Sequence, residues 1–299
     1  MSLNTYIKNN LHDVNNELVI LTGANGGLGL EISRTLLQKG ASLLLCVRSY
    51  DKGEKTKEKL KKEFPNSNIN YLIYQQDNFE SIKNLVKEII TKYYYFSTLI
   101  LNVGVLKAPK NKKTEQGFSY TIGVNFYGVY YLMYLLKNFL EQSKNEKRII
   151  FQGSLASTLS KYKKDDLSMS KSQSFRAYNI SKTGVENIFI KLSEENTNDN
   201  VKYLLAQPGI CATGISRNFP KVLSVISYYG MRIVFHSPRK GALCASYLAL
   251  NDVSNGDIYV PRGIWHISGY PKKIKVPRGD ILNKQIINDV EAVLSEYLA

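Results

Sequence analysis

Residues 18–32 read LVILTGANGGLGLEI. Five apolar or β-branched residues run into four glycines within seven positions, and the pattern then turns at once into a helical rhythm. A glycine cluster can serve two purposes: it lets a chain turn through φ > 0, and it lets backbone approach a ligand closely. Spacing alone leaves both open. The distinction rests on whether the stretch leaves a strand and opens a helix inside a βαβ pattern. There, backbone N–H groups and the positive end of a helix dipole converge on one point suited to a phosphate.

The rest of the chain supplies that pattern. Short β-branched or leucine-rich runs at 18–22, 42–47, 69–74, 98–101, 148–152, 201–206 and 257–260 alternate with longer helical stretches. Seven strands with helical crossovers predict an α/β fold, a single doubly wound, parallel, Rossmann-like sheet with helices on both faces. No Pro-, Gly- or Ser-rich linker, internal repeat or low-complexity segment divides the 299 residues, so one domain over 1–299 is expected. In this outline the glycine loop joins the first strand to the first helix, and a phosphate cradle becomes the favoured reading.

Composition narrows the class. Hydrophobic residues make up 43% and charged residues 22%, ordinary for a globular protein with ample core material. The net charge of +15 comes largely from runs such as KGEKTKEKLKKEF (52–64) and KAPKNKK (107–113). A solvated lysine-rich surface accounts for it, with attraction for anions as the alternative. No helix-turn-helix, zinc-finger or RNA-recognition signature accompanies the charge, so no nucleic-acid partner is expected. Cys46, Cys211 and Cys244 are too scattered for a disulfide framework, and His12, His236 and His266 have no metal-ligand spacing, so no catalytic metal is expected. The polar start and the short apolar run at 222–235 predict a cytoplasmic protein without a transmembrane segment.

Further motifs carry a resemblance. TGANGGLG (22–29) has the pattern Thr-Gly-x-x-x-Gly-x-Gly. LNVG (101–104) follows the fourth strand, VNFYG (124–128) and YNISK (178–182) lie on later helices, and QPG (207–209) with Thr213 follows the sixth strand. In this order they resemble the short-chain dehydrogenase/reductase superfamily across roughly residues 18–260. KTEQGFSYTIGVNFYGVYYL (113–132) and the wide spacing of 24 positions from Ser154 to Tyr178 look like its retinol dehydrogenase, protochlorophyllide reductase and WW-domain oxidoreductase branch. Two departures stand out. Leu101 replaces the first residue of the family's Asn-Asn-Ala-Gly, and Gly26 replaces a serine common in this branch's loop.

The chemistry can be argued beside the resemblance. Tyr178 and Lys182 are four residues apart and share a helix face. A phenol of pKa about 10 exchanges protons poorly near neutrality, and a nearby ammonium lowers it. The resemblance implies that Tyr178 is the general acid or base, that Lys182 also holds the nicotinamide ribose, that Ser154 holds the substrate oxygen, and that Asn125 anchors a proton-relay water. Ser154 as a simple turn cap, Asn125 as a residue relieving a helix irregularity, and Ser157 or Ser181 as the working hydroxyl stay open.

The cofactor implied is NADP(H) rather than NAD(H). An NAD site normally ends its second strand with a carboxylate for the ribose 2′-OH, whereas this chain has Val47, then Arg48, with Lys52 four residues on. A guanidinium takes a 2′-phosphate in bidentate fashion; Lys52 reads equally well as surface. By resemblance, Thr22, Gly23, Asn25, Gly27, Leu28 and Gly29 form the pyrophosphate loop, and Asp77 contacts adenine. Asn102 and Gly104 line the adenosine side, while Pro208, Gly209, Ile210 and Thr213 fix the carboxamide. The expected activity is hydride transfer between NADP(H) and a carbonyl/alcohol pair, with a bulky, apolar small-molecule carbonyl or alcohol as substrate. The alternative is a catalytically silent dinucleotide sensor, and a homo-oligomer stays open. Residues 215–236 are expected to form a helical substrate lid, with a buried helix or a dimer contact as the plainer readings.

Overall fold

The computed structural model describes residues 1–106, 108–109, 111–168, 175–211, 237–275 and 284–298. Thr213 and the expected lid at 215–236 lie outside the described residues.

An N-terminal helix α1 (Leu3–Asn10) precedes alternating elements: β1 (Leu18–Thr22), α2 (Gly27–Gln38), β2 (Ser42–Val47), α3 (Tyr50–Glu63), β3 (Ile69–Ile73), α4 (Phe79–Lys92) and β4 (Thr98–Leu101). A short turn of helix α5 (Tyr120–Ile122) runs through a π-helical turn (Gly123–Tyr127) into α6 (Gly128–Glu141). Then come β5 (Lys147–Gln152), α7 (Phe175–Glu194), β6 (Val201–Ala206), α8 (Pro238–Gly241), α9 (Leu243–Leu250), β7 (Ile258–Pro261), β8 (Pro271–Ile274) and α10 (Lys284–Val293).

The strands lie in the order β3-β2-β1-β4-β5-β6-β7-β8, parallel except for β8, which pairs antiparallel with β7. Alternation of side chains across the pleat explains the two cores. Leu18, Ile20, Leu44, Leu99 and Leu101 face a core with α4, α6, α7 and α10. Val19, Leu21, Leu43, Leu45 and Ile100 face one with α1, α2 and α9. The central strands β1, β2 and β4, buried at every position, are therefore apolar nearly throughout.

The doubly wound sheet was legible, but its eighth strand was not. Pro271, Lys272 and Lys273 make β8 a proline-led, lysine-bearing edge, which blunts the sheet's open side and carries little strand signal. What matters for the site is the reversal of strand order between β1 and β4, which opens a crevice at their carboxyl ends.

Candidate active site

At that crevice the glycine loop makes its turn. Gly23 has φ +67°, and its carbonyl accepts the Gly26 N–H at 3.1 Å. A Cβ on Gly29 would stand 2.3 Å from Gly23 O and 3.0 Å from Ala24 Cα, so helix α2 starts hard against the turn. Gly26 precedes α2 with no side-chain cap, leaving first-turn N–H groups for another acceptor. Thr22 and Asn102 lock this turn to the loop after β4. The Thr22 hydroxyl accepts from Asn102 N (2.9 Å) and donates to Ile100 O (3.2 Å), while Asn102 Nδ2 donates to Thr22 O (3.1 Å).

A cleft of about 390 Å³ runs across the strand ends. At one end stand Val47, Arg48, Lys52 and Asp77; in the middle lie Gly23, Asn25, Gly27, Leu28, Gly29, Asn102 and Gly104; at the other are Tyr178, Lys182 and Pro208. Arg48 Nη1 lies 3.4 Å from the Tyr120 hydroxyl. Five expected site residues are not among those lining the cleft: Thr22 and Asn125 are fully buried, while Ser154, Gly209 and Ile210 are half-buried and follow Gly153 and Pro208, which do line it.

Asn125 sits in the π-helical turn, where the ladder of backbone bonds is interrupted. Its Oδ1 accepts from Val105 N (2.8 Å), and its Nδ2 donates to Val105 O (2.9 Å) and Ser181 Oγ (3.0 Å). It thereby clamps the loop after β4 to α7. Gly104 lies between the two: a Cβ there would be 3.6 Å from Lys182 Nζ and 3.7 Å from Asn125 Oδ1.

Tyr178 and Lys182 sit one turn apart on α7. Lys182 is buried and donates to Gln152 O at 2.7 Å. Burial pushes its ammonium down to about 8, against the opposing pull of the Glu186 carboxylate. The expectation that this ammonium holds the Tyr178 phenol below its ordinary range is not met. Burial pushes the phenol up, Glu186 adds to that, and a hydrogen bond from Ser154 opposes it. Ser154 also begins a 3₁₀ turn (Leu155–Leu159), its Oγ accepting from Ala156 N at 3.2 Å. The other candidate hydroxyls are engaged by backbone: Ser157 donates to Ser154 O (2.8 Å) and Ser181 to Tyr178 O (2.7 Å).

On the β6 side, Pro208 lines the cleft, Gly209 turns at φ +69°, and Ile210 N donates to Ile267 O at 2.9 Å. Sequence reasoning missed Tyr74, Gln76 and Tyr120 on the cleft wall and the buried Glu186 and Gln207 behind it. Gln76 Nε2 donates to Val124 O at 2.5 Å, tying β3's end to the π-helical turn. No local motif marks these residues; only the register of the sheet brings them together. Among the described residues no helix is long and apolar enough to cross a membrane.

Comparisons with known proteins agree with this geometry. The mouse retinol dehydrogenase 12 is 28% identical over 235 residues, covering 78% of this chain and 73% of that protein. The human retinol dehydrogenase 13 is 29% identical over 238 residues, covering 78% and 71%. Among solved structures, an uncharacterized protein from Mycobacterium paratuberculosis superposes with a TM-score of 0.71 at 22% identity, covering 98% of this chain and 96% of its own. The L-sorbose reductase from Gluconobacter frateurii, complexed with NADPH and L-sorbose, gives 0.61 at 16% identity, covering 80% and 91%. The family model for short chain dehydrogenase matches residues 17–222, a span from the first strand past the β6 loop. With more than two thirds of its length under that match, the chain belongs to the short-chain dehydrogenase family.

Proposed function

We propose that the protein uses NADP(H) to interconvert an apolar carbonyl compound and its alcohol. The observation that carries this reading is one continuous cleft with Arg48 and Lys52 at one end and Tyr178 and Lys182 at the other.

The residues present fit a dinucleotide. The turn at Gly23–Gly29 has no room for a further Cβ at Gly29, and the uncapped start of α2 offers donors to a pyrophosphate. Val47 is buried and apolar where a carboxylate would select the ribose 2′-OH, and Arg48 stands next to it, two residues before α3. Arg48, with Lys52 one helical turn on, supports a 2′-phosphate, although Asp51 in the same turn offsets part of that charge. Asp77, Asn102 and Gly104 would border the adenosine. Pro208, Gly209 and Ile210 would border the nicotinamide, and Lys182 its ribose.

NADPH, when bound, supplies the hydride. The chain's part is to hold the carbonyl oxygen and to move a proton. The Ser154 hydroxyl would hydrogen-bond that oxygen, and Tyr178 would give it the phenol proton as the carbon is reduced. The phenol, pushed above its ordinary range by burial, carries its proton at neutrality and so has one to give. Lys182 keeps a positive charge near the phenolate that forms, and Asn125 fixes the loop around Gly104 against which Lys182 rests. The relatives named as retinol dehydrogenases support an apolar substrate class. So does the apolar composition of residues 222–234.

The test is a panel of apolar and polar aldehydes and ketones scored by NADPH absorbance. Apolar carbonyls should turn over with NADPH in preference to NADH. Turnover confined to small polar sugars, or a preference for NADH, would overturn the reading.

A further inference from the structure

One buried carboxyl stands at the junction of all three segments that build the catalytic end, and the proposed mechanism gives it no task. Glu186 is two helical turns from Tyr178 and one from Lys182 on α7, with no solvent exposure. Its Oε1 accepts from Ser154 N at 3.2 Å, where β5 ends, and from Gln207 Nε2 at 2.9 Å, just before Pro208. Its Oε2 lies 2.9 Å from Ser157 Oγ. The backbone is shaped around it: a Cβ on Gly153 would be 2.7 Å from Oε1. One side chain thus ties the Ser154 loop, the Tyr178 helix and the Pro208 loop to one another.

If the Glu186 carboxyl is ionised, a single hydroxyl proton has to serve two short contacts. Ser157 Oγ has one proton and two oxygen neighbours that both accept, Ser154 O at 2.8 Å and Glu186 Oε2 at 2.9 Å. If Oε2 carries a proton, it donates to Ser157 Oγ, and the Ser157 hydroxyl donates to Ser154 O. Both short contacts are then satisfied. Oε1 remains a pure acceptor for its two N–H donors in either state.

We propose that Glu186 is a positioning residue that holds a proton on Oε2, shared with Ser157, and that gaining or losing this proton sets the charge felt by Lys182 and Tyr178. Lys182 and Tyr178 are the titratable groups coupled to it among the described residues, both on its own helix; from β5 and β6 it meets the neutral Ser154, Ser157 and Gln207. Burial pushing the carboxyl up to about 7 agrees with this. The consequences have definite signs. Ionised, Glu186 favours the Lys182 ammonium and disfavours a Tyr178 phenolate. Protonated, it leaves Lys182 as the single formal charge among these groups.

Glu186→Gln keeps the acceptor for Ser154 N and Gln207 and offers Ser157 a donor, so it removes the charge and leaves the bonding pattern. Infrared spectra of the wild-type protein, titrated across neutrality, should show a protonated carboxylic-acid band that fades as pH rises. The band should be absent from Glu186→Gln and shifted in Ser157→Ala, which assigns it to the pair even if Glu186→Gln fails to fold. In the kinetic arm, which rests on the carbonyl-reduction reading, the alkaline limb of kcat/KM should move down in Glu186→Gln by on the order of one pH unit, because Lys182 has lost its anionic neighbour. A purely structural role for Glu186 would lower activity at every pH and leave the limb in place. The infrared arm reads the resting protein and holds whether or not a substrate is found. No carboxylic-acid band, a band indifferent to both variants, or an unmoved alkaline limb would overturn the proposal.

Discussion

Gly29→Ala is the most direct probe of the turn between β1 and α2. The new Cβ would lie 2.3 Å from Gly23 O, 1.1 Å inside the 3.4 Å at which ordinary contact begins. It would also stand 3.0 Å from Ala24 Cα and from Asn102 Nδ2. The nearest atom is backbone and cannot rotate away, so the Gly23 carbonyl must move. That carbonyl accepts from Gly26 N at 3.1 Å and Asn102 Nδ2 at 3.3 Å. Weakening two such bonds costs about 1 kcal/mol each, and the overpacking adds about 1–3 kcal/mol. A total of roughly 3–5 kcal/mol falls on the segment that would cradle the pyrophosphate, and about 1.4 kcal/mol is tenfold in affinity. NADPH binding, followed by calorimetry on protein whose melting is checked in parallel, should weaken by at least about 100-fold. A folded Gly29→Ala variant that binds NADPH within about threefold of wild type, a shift of under about 1 kcal/mol, would show that the dinucleotide does not use this turn.

Arg48→Ala should weaken NADPH far more than NADH, since a charge-assisted bond to the 2′-phosphate is made by only one of them; equal losses in fluorescence titrations would remove the basis for the NADP(H) assignment. Tyr178→Phe should bind NADPH nearly as wild type yet lose on the order of 100-fold to 10,000-fold in turnover, and wild-type rates would reassign the proton donor. Stability should also carry the mark of Glu186. Its folded-state value, raised from 4.5 to about 7, makes its contribution greatest below the unfolded value and progressively lost as pH rises through 7. The wild type should therefore lose on the order of 3 kcal/mol relative to Glu186→Gln across that window in denaturant titrations, and parallel stability curves would contradict the assignment.

How far the sequence could be read follows from how local each signal is. The first six strands are short apolar runs between helical patterns, so their number and order were legible, and their ends fell within one residue. β8 was missed because a sheet edge is kept from aggregating by the proline and lysines that make it look unlike a strand. The glycine loop, Arg48, Tyr178 and Lys182 were legible as spaced motifs. Thr22 was legible as part of its motif, but its hydroxyl turns inward to the β4 loop, a direction that the neighbouring strand decides. Glu186 lies on a helix that also carries Glu194, with Glu195 just beyond, and nothing nearby in sequence distinguishes a buried acid from an exposed one. Its partners come from residues 154, 157 and 207, which only the sheet's parallel register brings together. The phenol's upward shift was hidden for the same reason, since burial and Glu186 both depend on the tertiary fold.

Hydride transfer itself can be followed with NADPH carrying deuterium on the transferable face of its nicotinamide, mixed with the protein and an apolar aldehyde or ketone from the panel. The product alcohol should carry one deuterium on its carbinol carbon, and the label should all but vanish with Tyr178→Phe. If folded, NADPH-binding protein transfers no deuterium to any apolar carbonyl compound, the central reading is wrong.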